Sequence, residues 1–277
     1  MEIPKRTLGK TGMDVTILGL GGEGVLRTYG YEREAYNLIN RAIDLGINYF
    51  ESARAYSGSE SYYGRSLRER RQEIFLASKS HARRKKGALL HLQETLGNMK
   101  TDHLDLWQVH DVRTEKEVEE IFGPNGALEA FVEAKKKGLV RYIGVTGHHD
   151  PLITYRCLQR FDFDTVLIPV NPAEPAYKSY LTEVIPLATK KGMGIVGMKV
   201  YLRGFADKLP WFNTVEPFFR FALSQPITTA VIGCDDVEQL EENVKLAASF
   251  APMTDRESLE LIGKVSPSAR ELMYYKP

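Results

Sequence analysis

Leu104-Asp105-Leu106-Trp107-Gln108-Val109-His110 is a short, largely apolar run that stops on an imidazole. Two earlier runs stop in the same way. Ile47-Asn48-Tyr49-Phe50-Glu51 ends on a carboxylate, with Tyr56 just beyond it, and Ile74-Phe75-Leu76-Ala77-Ser78-Lys79 ends on an ammonium. Apolar runs of this length, bounded by turn residues, read as buried strands. In a closed parallel α/β barrel the carboxyl ends of all strands open onto one mouth, where chemistry is done. Glu51, Tyr56, Lys79 and His110 then form a proton-delivery set. An unperturbed phenol titrates near ~10, and a neighbouring cation lowers that value.

The alternation continues through the chain. Strands are expected over 15–20, 47–50, 74–78, 104–109, 140–145, 165–169, 194–198 and 229–232. Helical patterns follow each, over 34–45, 60–68, 88–96, 127–136, 151–160, 181–190, 216–223 and 237–249. Leu240, Val244 and Ala247 illustrate the apolar spacing of one helix face. Gly46, Gly97, Gly138 and Gly192 stand after helices, where a left-handed cap fits. Eight such units predict an α/β fold, a (β/α)8 TIM barrel, as a single domain over 1–277. Before it, the Lys10-Thr11-Gly12 turn signal lies between two extended runs and predicts an N-terminal β-hairpin. After Phe250 a short helical tail is expected. The long loops 111–126 and 199–211 and this tail are placed to cover the mouth.

Composition narrows the function. Lys plus Arg number 37 and Asp plus Glu 36, a net charge of +1. That balance gives no reason to expect nucleic acid. The basic runs 68–71 and 83–86 lack aromatic interleaving and read as solvated faces. The two cysteines, Cys157 and Cys234, suit neither a disulfide framework nor a zinc site, and a cytoplasmic chain is expected. No segment reaches the ~20 apolar residues of a membrane helix, so no membrane partner is expected.

Gly19-Leu20-Gly21-Gly22-Glu23-Gly24 matches a dinucleotide fingerprint. That fingerprint needs a helix to begin within the glycines, and residues 25–30 intervene before helical periodicity starts. The glycines read either as a strand-to-loop passage where a flat ligand approaches the backbone at Gly22, or as a plain turn. His148-His149-Asp150 has no third ligand spaced to complete a metal site. Asp150 as a cap and Pro151 in the first turn make a helix entry instead.

Taken as a set, these segments resemble the aldo-keto reductase family. Residues 46–60, GINYFESARAYSGSE, are similar to its GxxxxDTAxxYGxSE signature. IFLASK and LDLWQVHD resemble its lysine and histidine strands, and GLVRYIGVTG its GKIRxIGVSN segment. AVIGCDDVEQLEENV resembles its last strand and cofactor helix. The resemblance covers about 6–250. It implies NAD(P)H-dependent reduction of an aldehyde or ketone, or the reverse. Tyr56 would be the general acid, Lys79 would lower its pKa, Glu51 would hold Lys79, and His110 would orient the carbonyl. The alternative is a non-catalytic NAD(P)H-binding redox sensor on the same barrel.

Departures from the family pattern are specific. The family aspartate is Glu51, one methylene longer. The Ser-Asn pair that holds the nicotinamide carboxamide appears as Thr146-Gly147, and its Gln aligns with Asn171 or Pro172. Met198 stands for the stacking aromatic, and Lys199 is either a pyrophosphate contact or a rim lysine. At the adenosine end the resemblance points to Gly233, Cys234, Asp235, Gln239, Glu242 and Asn243. Residues 233–243 contain no Lys or Arg, which favours NADH over NADPH, although Arg203 could reach a phosphate. The expected partner is a small carbonyl or alcohol, with loop aromatics Phe122, Tyr201, Phe205, Trp211 and Phe212 forming either an apolar wall or packing. The family implies a monomer.

Overall fold

The computed structural model describes residues 2–277. Ten strands are present: β1 Lys5–Thr7, β2 Asp14–Thr16, β3 Leu18–Gly24, β4 Tyr49–Glu51, β5 Phe75–Ser80, β6 Leu104–Val109, β7 Val140–Thr146, β8 Thr165–Pro169, β9 Gly194–Met198 and β10 Thr229–Cys234. β3 through β10 close into an eight-stranded parallel ring, with β10 paired to β3. Helices on the outside cover it, so the (β/α)8 expectation holds.

Period-two alternation sorts the side chains. Tyr49, Phe75, Ala77, Leu106, Leu167, Val196 and Val231 fill the interior. Outward residues meet the helices: the Trp107 ring stacks on Phe131 of helix Ala127–Lys136 with centroids 3.7 Å apart. Continuing the inward alternation by one or two steps past that apolar floor gives Glu51, Lys79, Gln108 and His110. The site is thus the top layer of the barrel's own core.

The hairpin β1–β2 is the expected one, and it plugs the other end. Leu8 is fully buried in the barrel interior. Gly9 (φ +50°) lies so close to β9 that a Cβ there would stand 2.2 Å from the Gly194 nitrogen. Arg6 anchors the hairpin from outside, donating to the carbonyls of Ile227 and Leu223 at 2.7 and 3.1 Å.

Several boundaries differ from expectation. The strand expected over 15–20 is two strands, because the Thr16 hydroxyl donates back to the Leu18 carbonyl and the Thr16 amide donates to Asn48 Oδ1. The chain is pinned there as it turns from hairpin to ring. β3 instead runs on through the glycines, held by pairing with β10. The helix expected over 181–190 is broken at Val184 into Tyr180–Glu183 and Ile185–Lys190, just before Pro186. Gly97 is inside helix Lys85–Met99, and Lys100 (φ +50°) takes the left-handed cap. Loop 111–126 holds helix Glu115–Phe122, entered through a capping box of Thr114 and Glu117. The tail forms helices Asp255–Val265 and Ala269–Leu272.

Candidate active site

Glu51 ends β4, Lys79 lies near the end of β5, and His110 follows β6, so three adjacent strands deliver three side chains to one mouth. Tyr56 joins them from the loop after β4. Its amide donates to the Ala53 carbonyl, which fixes a tight turn. All four sequence-expected residues therefore meet.

Lys79 and Glu51 are almost wholly buried, and the Lys79 ammonium donates to Glu51 Oε1 at 2.7 Å and to the Ser52 carbonyl at 2.9 Å. The extra methylene of Glu51 does not cost the pair. Gln108 donates to the other carboxylate oxygen at 3.3 Å. The ammonium also lies 4.8 Å from the Tyr56 ring centroid, against its face. Burial pulls the Lys79 pKa down, and Glu51 opposes this.

Among the described residues none bonds the Tyr56 hydroxyl. Burial, then Glu51 and Glu23, push its pKa well above the ordinary tyrosine value, while Arg27 and Arg203 pull it back. The phenol is thus a protonated group through neutral pH, and the cations acting against its burial are the two arginines. His110 meets the Tyr56 ring edge to face, with centroids 5.8 Å apart. Burial, then the charge of Lys79, keep the His110 pKa well below the ordinary histidine value. It is neutral, and its Nδ1 is buried without a partner.

Two hollows meet at Tyr56. One, of about 440 Å³, spreads from Tyr56 and His110 toward Asp111, Arg113 and Glu117, with Thr146 and His148 in its wall. The other is a trough of about 600 Å³ running from Gly21–Gly22 past Met198 and Lys199 to Gly233, Asp235, Gln239, Glu242 and Asn243. Eight of the twelve residues expected at the cofactor line this trough. Its glycine wall exposes backbone, and helix Val237–Ala248 begins at its far end, so the residues present fit a flat, extended dinucleotide. Asn243 is fixed there by Tyr201, which donates to its Oδ1, and by its own donation to the Gln239 carbonyl at 2.8 Å.

The other four expected positions lie elsewhere. Thr146 is in the wall of the smaller hollow, where its hydroxyl oxygen accepts from the Asp111 amide at 2.8 Å. Asn171 is fully buried behind the mouth, donating to the Lys199 carbonyl at 3.2 Å and the Tyr275 hydroxyl at 3.5 Å. Gly147 is packed so closely that a Cβ would stand 2.0 Å from the Thr154 hydroxyl. Cys234 sits beneath Asn243, and burial pushes its pKa to about 12.

Of the loop aromatics, Tyr201 and Phe212 line the trough. Phe122 packs edge to face on Phe163, and Trp211 stacks on Phe218. Asp150 does cap the helix that begins at Pro151, accepting from the Leu152 amide at 3.0 Å. Sequence reasoning missed Tyr275, whose ring meets His148 at 5.9 Å and the Lys199 ammonium at 5.0 Å. No local pattern marks a contact made by a tail so far along the chain.

A family model described as Aldo/keto reductase family matches residues 17–210, and the chain belongs to that family. It is 26% identical to the uncharacterized oxidoreductase YqkF of Bacillus subtilis, over 91% of this chain and 94% of that protein. It is 25% identical to L-galactose dehydrogenase of Arabidopsis thaliana, over 99% and 97%. Among solved structures, the holo form of aldo-keto reductase AKR11C1 from Bacillus halodurans superposes with a TM-score of 0.79 at 23% identity, covering 96% of this chain and 97% of that one. The protein is an NAD(P)-dependent oxidoreductase of carbonyl compounds. The sensor alternative gains no support from these relatives. Among the described residues no helix is long and apolar enough to cross a membrane.

Proposed function

We propose that Tyr56 gives the proton in carbonyl reduction, with substrate in the smaller hollow and cofactor in the trough. One observation carries this: Tyr56 lines both hollows, over a buried Lys79–Glu51 pair. When bound, the reduced nicotinamide supplies the hydride that the carbonyl carbon accepts. The chain manages the proton. Tyr56, kept protonated by burial, donates to the carbonyl oxygen as negative charge develops there. The ammonium of Lys79 on the ring face stabilises the phenolate left behind, and Glu51 holds that ammonium in place. Neutral His110 orients the carbonyl through a ring nitrogen. In the reverse direction Tyr56 accepts the alcohol proton.

In this reading Gly22 and Gly233 would border the dinucleotide through their backbones and Met198, which lines both hollows, would lie beside its nicotinamide, while Thr146 stays in the wall of the smaller hollow. Asn171, Gly147 and Cys234 support the wall from behind. At the adenosine end, Asp235 and Glu242 favour a free ribose hydroxyl over a 2′-phosphate, so NADH is the preferred cofactor. The whole chain acts as one domain, as a cytosolic monomer.

Tyr56→Phe tests the core of this. Single-turnover oxidation of bound NADH by a simple aldehyde should slow by ~10²–10⁴-fold while cofactor affinity is kept. A near wild-type rate would refute the assignment. Dissociation constants for the two cofactors test the preference: NADPH binding tighter by tenfold, ~1.4 kcal/mol, would reverse it.

A further inference from the structure

Two cations stand against the ring of Tyr56. The Lys79 ammonium lies 4.8 Å from its centroid, and the Arg27 guanidinium carbon 4.9 Å. They come from different parts of the fold. Lys79 rises from β5 inside the barrel, whereas Arg27 ends the helical turn Val25–Arg27 that follows β3. That turn is fixed at both ends. Gly24 (φ +67°) packs so tightly on β10 that a Cβ would stand 2.3 Å from the Cys234 carbonyl oxygen. At the other end the Thr28 hydroxyl donates to the Val25 carbonyl at 2.5 Å. Arg27 lines the smaller hollow and is absent from the wall of the trough, so its charge belongs to the proton step and not to the dinucleotide.

The charges that face Tyr56 come from every side. They are Glu23 on β3, Arg27 on the turn, Glu51 on β4, Lys79 on β5 and Arg203 after β9, with neutral His110 at the ring edge. Lys79 is directed at Glu51 at 2.7 Å and at the Ser52 carbonyl at 2.9 Å, and a carboxylate so close cancels much of its charge. Glu23 is the carboxylate that the Lys79–Glu51 pair leaves over. It lines both hollows beside the reacting ring. When the Tyr56 O–H bond breaks, the proton goes to the carbonyl oxygen and the electron pair stays on the phenol oxygen. An unpaired carboxylate beside that phenolate would oppose it. Arg27 pairs with Glu23 at 2.9 Å and lies over the ring at the same time. A planar guanidinium suits both contacts. Burial, Glu51 and Glu23 push the phenol's pKa up, in that order, and Arg27 is the first cation to pull it back.

We propose that Arg27 is a positioning residue for the proton step: paired with Glu23 and lying on the Tyr56 ring, it keeps that carboxylate from opposing the phenolate and gives the ring a second cation. This rests on Tyr56 being the proton donor. It adds a charge pair from the β3 turn to the four residues at the strand ends.

Alcohol oxidation reads the effect, because Tyr56 must be a phenolate to accept the alcohol proton. A raised phenol pKa leaves less phenolate at a given pH, so oxidation slows below the plateau of the pH profile. Single-turnover oxidation of benzyl alcohol with saturating NAD+ is to be followed from pH 6 to 10. Arg27→Met should displace the rising limb by about half a pH unit to higher pH, a roughly threefold slower reaction at each pH there, with cofactor affinity kept. Arg27→Lys should return part of the displacement. Arg27→Met with Glu23→Gln should return most of it, since the opposing carboxylate is then gone; lost packing is not recovered by deleting a second charge. An Arg27→Met profile that coincides with the wild type would overturn the proposal. So would a slower variant that neither Arg27→Lys nor Glu23→Gln rescues, or one whose loss lies in NADH affinity. Any of these leaves the Tyr56 reading intact, which Tyr56→Phe tests separately. If benzyl alcohol is not oxidised and benzaldehyde is not reduced, both readings fall.

Discussion

Lys199 is the residue whose ionisation the mouth has altered in a readable way. Its pKa is lowered to about 8, by burial first and then by Arg203, with Lys79 acting the same way and Glu23 and Asp111 against it. Tyr275 adds only a ring face. Below pH ~8 the side chain is an ammonium; above it the charge is lost. The affinity for NADH, read as its dissociation constant, should therefore be full near pH 6.5 and decline as pH rises through about 8. A dissociation constant, unlike a rate, leaves out any effect of Lys79 or Tyr56 on the chemical step, which makes it the quantity to measure. A dissociation constant flat from pH 6 to 9.5 would show that Lys199 does not face the cofactor's phosphates. Residue types at strand ends made the four candidate residues legible in advance: Glu51, Lys79 and His110 each interrupt an apolar run at the point where it should leave the core. Lys199 was legible only as a choice between phosphate contact and rim lysine. What it faces depends on a left-handed turn and on Tyr275, and neither leaves a periodic signal in the sequence.

Elements set where that layer of side chains sits, and the hairpin is the one that fixes the floor. Leu8 and Gly9 enter the bottom of the ring, and the amide of Lys10 donates to the Gly192 carbonyl at 2.7 Å. Gly9→Ala should place a methyl against the β9 backbone and also strain a left-handed residue. Together these should cost roughly 2–4 kcal/mol, read as a lower urea midpoint with an unchanged slope. A variant as stable as the wild type would mean that the hairpin is not seated as described. The strands were legible because β-branched and aliphatic runs recur at even spacing. Exceptions were instructive: the strand expected over 15–20 stops short of glycines that read as a loop passage or a turn, yet ring closure onto β10 carries β3 through Gly24. The helix Glu115–Phe122 was missed, although its Thr114 and Glu117 are a capping-box signal.

Over the whole molecule, the last residues return to the mouth. Lys276 and Glu174 form an ion pair with no exposure of either side chain, at 2.7 Å, and Lys276 also donates to the carbonyls of Tyr177 and Lys178. Burial pushes the Glu174 pKa up and the Lys276 pKa down, each opposed by the partner. This latch holds Tyr275 between Asn171, His148 and Lys199. Lys276→Met should leave a buried carboxylate uncompensated and cost about 3–5 kcal/mol. Lys276→Met with Glu174→Gln should recover much of that, since the charge is then gone too. Equilibrium unfolding of both variants checks this, and equal losses in the two would assign the cost to packing instead of charge. Nothing in the spacing of these residues foretold the pair.

Ring closure itself has a consequence for how the protein comes to exist. β3 leaves the ribosome before every other strand of the ring and β10 after them, yet each supplies the other's edge. Until residue 234 has been translated and released, the nascent sheet keeps two open edges. The trough is built from those same two ends, Gly21–Gly24 on one side and Gly233–Asn243 on the other. A truncated or stalled chain therefore has no dinucleotide groove, however well its middle folds. A ligand seated in that trough would therefore bind only the closed ring and stabilise it by linkage.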